Sequence, residues 1–107
     1  MSLDDIKKHQ QKIENIANLK GYMIEQLRIV EEAQETKAQI IELTRIQGGL
    51  RFALDLGIID LDTYYFLLNT INRIIDELED FNRPLALLEI KNLMGHIGKL
   101  KLEEIRK

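Results

Sequence analysis

The sequence predicts an all-α protein: an antiparallel helical bundle of three to four helices with a C-terminal αα-hairpin, paired into a dimer. Three observations predict it. Apolar residues recur at intervals of three and four, the period of one helix face. Valine, a strand former, occurs once in 107 residues, at Val30, while Leu and Ile abound. Residues 22–47 contain no Gly, Pro, Asn, Asp or Ser, so no local device ends a helix across them. The length supports one domain with a modest core, taken as residues 1–107.

At the N-terminus, an amphipathic arm spans about residues 3–30. Lys20-Gly21-Tyr22 reads as a helix stop, which would divide a first helix over residues 3–19 from a long second one. The rival reading is a single coiled-coil rod with its seam through Ile6, Ile13, Ile16, Met23, Leu27, Val30 and Ile41. That seam turns polar at His9, Lys20, Gln34, Lys37 and Thr44, more than a coiled coil tolerates, so the bundle is favoured. Glu31 to Gln39 offers nothing bulkier than alanine to an apolar face. A continuous helix would be washed by solvent there and could bridge two packing units, one in its own chain and one in a second copy.

A core helix over about residues 40–56 follows, since Ile46, Leu50, Ala53 and Leu54 keep the period straight through Gly48-Gly49. Each glycine weakens a helix by roughly 1 kcal/mol relative to alanine but lets another backbone approach closely, so a hinge or a tight crossing is expected at the pair. Gly57 can close that helix in the left-handed region and Asp60 can cap the next, over about 61–81. Its stripe is Leu61, Tyr64, Leu68, Ile71, Ile75 and Leu78, with Leu67, Ile74 and Phe81 adding a second flank, so the helix is apolar over a wide arc. Pro84 suits the first turn of a last helix over about 84–106, striped by Ala86, Ile90, Leu93, Ile97 and Leu100. The short connection at 81–84 makes the last two helices an antiparallel hairpin.

Chemistry is sparse in this pattern. The absence of cysteine excludes disulfides, thiolate metal sites and a cysteine nucleophile, and suits a cytoplasmic protein. No apolar run reaches the roughly 18 residues of a membrane span, and the acidic start at Asp4-Asp5 is unlike a secretory leader. His9 and His96 each lack a second ligand one helical turn away, so no metal is expected. Gly95-His96-Ile97-Gly98-Lys99 lacks the first glycine of a phosphate loop, its place being taken by Leu93. Asp60-Leu61-Asp62-Thr63 is explained by capping, and Asp76, Glu77, Glu79 and Asp80 read as a solvated acidic face. No catalytic residue, cofactor or metal site is predicted.

Binding surfaces carry the functional expectation. Tyr64, Tyr65 and Phe66 fan over about 200° of one helix, so one core face cannot bury all three. Together with Ile13, Ile16, Met23 and Leu27 of the N-terminal helix, they are the candidate partner interface. A small non-enzymatic regulatory or adaptor protein is expected, acting through protein–protein contact as a homodimer and on a further protein partner. Nucleic-acid binding is the alternative, through Lys7, Lys8, His9 and Lys12 at one end and Lys99, Lys101, Arg106 and Lys107 at the other. A pI near 5.4 and the interleaved Glu103 and Glu104 oppose it.

Overall fold

The computed structural model describes residues 3–99, a four-helix antiparallel bundle. Helix α1 spans Leu3–Glu32, α2 Thr36–Asp55, α3 Leu61–Glu79 and α4 Arg83–Gly98. Short connections make every consecutive pair antiparallel, and the helices stand in a square in which α1 and α3 each pack on both α2 and α4. The helix expected to reach residue 106 is described as far as Gly98, and residues 100–107 lie outside the described part.

Each helix contributes one buried row to a single core: Met23, Leu27 and Val30 from α1, Leu43, Ile46 and Leu50 from α2, Leu67, Ile71, Ile74 and Leu78 from α3, and Ala86, Ile90, Leu93 and Ile97 from α4. Full burial of an aliphatic side chain of this size contributes about 1.5–3 kcal/mol, and these rows fix which face of each helix turns inward. At the α2–α3 corner, Gly57 adopts φ +73°, and the Asp60 carboxylate accepts a hydrogen bond from the Thr63 N–H at 2.8 Å. Asp62 in the first turn of α3 also faces the positive end of the helix dipole. Phe81, between α3 and α4, takes φ +61°, a conformation uncommon for a side chain of its bulk.

Two expectations are corrected. Gly21 does not end a helix, because α1 runs through it. Ending the helix there would take Tyr22, which packs on Gly49, and Met23, which is fully buried, out of register, so tertiary packing outweighs the roughly 1 kcal/mol helix penalty of one glycine. The uninterrupted helix expected over residues 22–47 is broken at residues 33–35, although no helix breaker stands there.

The break has two causes. At 100° per residue, a continuous helix would place the centre of the Gln39, Leu43, Ile46, Leu50 row about 160° from that of Met23, Leu27 and Val30, so one helix could not bury both rows on one core. Folding back at 33–35 brings them face to face. Carbonyls at and just past the end of α1 are then met by side chains from elsewhere, that of Val30 in addition to the Ala33 N–H at 3.3 Å. Gln39, fully buried in α2, donates from Nε2 to the Val30 carbonyl at 2.8 Å. Arg83, at the start of α4, donates from Nη2 to the Ala33 carbonyl at 2.6 Å and from Nη1 to that of Gln34 at 2.9 Å.

Register along α1 follows from these contacts. Gln39 faces Val30, and the Tyr22 ring lies 3.2 Å from the position a Gly49 Cβ would take, so the end of α2 at Asp55 stands beside about residue 15. Helix α4 ends higher, where the Lys20 ammonium donates to the Gly98 carbonyl at 3.3 Å. Residues 3–14 therefore project about 18 Å past α2, consistent with a molecule 54 Å long and 22 × 21 Å across.

Candidate interaction surface

Among the described residues no three His, Asp or Glu side chains converge as a metal site. No helix among them is long and apolar enough to cross a membrane. His96 stands in the last turn of α4 with its ring 4.7 Å from that of Phe66, a surface contact between α4 and α3. Asp60 serves as the cap of α3.

The acidic stretch at the end of α3 holds one perturbed group. Glu77 lies in the α3–α4 seam with its Oε2 buried and without a hydrogen-bond partner among the described residues. Burial raises its carboxyl above the usual range, and the adjoining Glu89 carboxylate adds to the effect, while Arg73 opposes it. Arg73 itself donates to Glu89 at 3.1 Å. A raised carboxyl means that the folded chain holds the proton more tightly than the unfolded chain does. Stability from this group therefore falls as pH rises from the ordinary glutamate range through the raised value. Glu77→Gln is expected to be more stable than the wild type near pH 7, with the gap closing toward about pH 4; thermal melts at the two pH values measure it. A variant no more stable at neutral pH would show that the ionised carboxylate is well accommodated.

The interface residues predicted from the sequence are dispersed. Met23 and Leu27 are fully buried in the chain's own core, and the side chains of Ile13 and Ile16 lie outside the described part. Tyr64 is buried, with its hydroxyl beside the Arg51 guanidinium, which this contact and Asp55 hold more firmly protonated. Tyr65 is half exposed on the α2–α3 side, its ring 5.5 Å from that of Tyr64 and edge-on to it. Phe66 points toward α4. Fanning of the three rings thus sends each to a different surroundings, one inward and two to separate seams.

A surface that the sequence reading did not isolate runs along the outside of α1 and α2. Ile41, Phe52 and Leu56 are 46%, 65% and 60% exposed, and they share a face of α2 with Arg45 and Gly48 within an arc of about 80°. From α1, Tyr22 and Ile29 border it, both partly exposed, with Ile29 opposite Ile41 by register. Gly48-Gly49 lies in its middle. Helix α2 passes through the pair unbroken, and nothing lies within 4 Å of where a Gly48 Cβ would stand. Gly49 instead seats the Tyr22 ring. The expected close crossing of another backbone at Gly48 is absent from the described bundle. Its sequence signal was present in the phase of Ile41, Phe52 and Leu56, which falls opposite the row of Leu43, Ile46 and Leu50 on the same helix.

No protein-family model matches this chain, and no curated protein or solved structure matches it either.

Proposed function

We propose that this protein is a self-associating helical docking module, a regulatory or adaptor protein that works by helix-to-helix contact and performs no chemistry of its own. The observation that supports it is the outer face of α1 and α2, where Tyr22, Ile29, Ile41, Phe52 and Leu56 leave apolar surface in the solvent. Single exposed apolar residues are ordinary, but a contiguous group on adjoining helices is the pattern of a surface that meets another protein. Helical faces of this kind take a second helix against their apolar ridge.

Light scattering of the purified chain at two concentrations tests the self-association. A mass near twice 12.5 kDa is the expected result. A mass of one chain at both, up to about a hundred micromolar, would overturn it, because an interface of standard size holds well below that concentration.

A further inference from the structure

We propose that the occupant of the α1–α2 face is a second copy of this chain, docked about a two-fold axis with α2 crossing the partner's α2 antiparallel at Gly48-Gly49. This rests on the self-association reading above and adds the surface and the register. Along the outer side of α2, Ile41, Arg45, Gly48, Phe52 and Leu56, with Gly49 at the edge turned toward α1, are spaced 4, 3, 1, 3 and 4, the same in either direction along the chain. An antiparallel helix pair centred between the two glycines therefore brings unlike groups together twice over. Ile41 meets the partner's Leu56, Arg45 meets the partner's Phe52, and Gly48 meets the Tyr22 ring that is seated on Gly49 of the other copy. A two-fold interface requires this reciprocity, and it closes at two copies.

Each contact suits its place. The Ile and Leu at the two ends are apolar and exposed. Arg45 is 68% exposed, and its guanidinium Nη1 is held at 2.7 Å by Glu42, which engages one edge of the group and leaves its flat face open to a phenyl ring, an attraction that Phe52 offers from the other copy. At the centre, the open space above Gly48 admits the Tyr22 ring of the other copy, which a residue with a side chain at this position would hold off. Gly49 lets Tyr22 lie down on α2, so that its ring lies low enough to form part of the contact.

The area is also of the right order. With about 200 Å² for a large apolar residue, the exposed parts of Tyr22, Ile29, Ile41, Phe52 and Leu56 come to roughly 500 Å² per copy, or about 1,000 Å² for two. Arg45 and the glycine backbone bring this toward the 1,200–2,000 Å² typical of specific pairs.

Three variants of the full chain, measured by light scattering over a dilution series with circular dichroism as the check on folding, test the proposal. Gly48→Glu puts a helix-favouring side chain into open space, so the monomer should fold at least as well as the wild type. It should nevertheless weaken dimerisation by about tenfold or more. Phe52→Arg, which sets two arginines against each other in each copy's contact, should do the same. Arg45→Glu combined with Phe52→Arg should regain dimerisation, because glutamate then faces the partner's arginine. A wild-type dimer that all three variants leave intact would overturn this register and keep the self-association. A double variant as weak as Phe52→Arg would overturn the register too. A wild type that stays monomeric would overturn both readings.

Discussion

Replacing Arg83 by alanine is expected to lower the unfolding free energy by about 2–3 kcal/mol, far more than a partly exposed helix-start position ordinarily loses. The guanidinium donates to the carbonyls of Ala33 and Gln34, about fifty residues away in sequence, where α1 ends. Both carbonyls lie in the connection just past the last residue of α1, and a positive charge there also meets the negative end of the α1 dipole. Arg83→Lys should recover less than half of the loss, since a single ammonium cannot reproduce the planar fork that spans two acceptors. Urea unfolding curves of the three proteins measure this, and faster hydrogen exchange in the last turn of α1 should accompany it. A loss under about 0.5 kcal/mol would show that solvent replaces the guanidinium without penalty.

Leu27→Ala should cost about 2–5 kcal/mol and lower the melting temperature by more than about 10 °C. Leu27 is fully buried between α1 and its neighbours, and truncation leaves a cavity that a four-helix core of this size closes only in part. Because the side chain lies inside one chain's own bundle, the loss should persist at concentrations where only single chains are present. Equilibrium unfolding at two protein concentrations separates the cases. A loss that vanishes on dilution would place Leu27 in a contact between copies.

Much of the fold was legible in the residues. The rows of α3 and α4 are regular, Asp60 and Pro84 are strong local start signals, and Gly57 has few competing uses. In these places local propensity and tertiary demand agree. The first half misled because its local signals and its packing disagree. Gly21 resembles a stop, yet burial of Met23 and Leu27 carries the helix through it. Residues 33–35 resemble the middle of a helix, yet the chain turns there. The change of apolar phase between Val30 and Leu43 was a readable sign of that turn, although the bare presence of good helix formers conceals it.

The interaction surface was the least legible part. Tyr64 and Phe66 drew attention as aromatics, but only packing decides which of neighbouring rings is inside, and it is Tyr64 that the Leu67–Ile71 row draws in. Ile41, Phe52 and Leu56 look like ordinary helix residues until the inward row of α2 is known.

The sequence by itself determined helices, the α2–α3 corner and the hairpin of α3 and α4, because periodicity, capping and proline act within a few residues, whereas the row that α3 buries is shifted from the expected Leu61, Leu68 and Ile75 to Leu67 and Ile74. Tertiary structure alone decided where α1 stops. The glutamine and arginine that donate to carbonyls at and just past its end come from α2 and α4, and no local pattern records a hydrogen bond to residue 33 from residue 83. It also decided which apolar side chains remain outside, since a helix with apolar residues on two faces can bury only one of them in a core that four helices share.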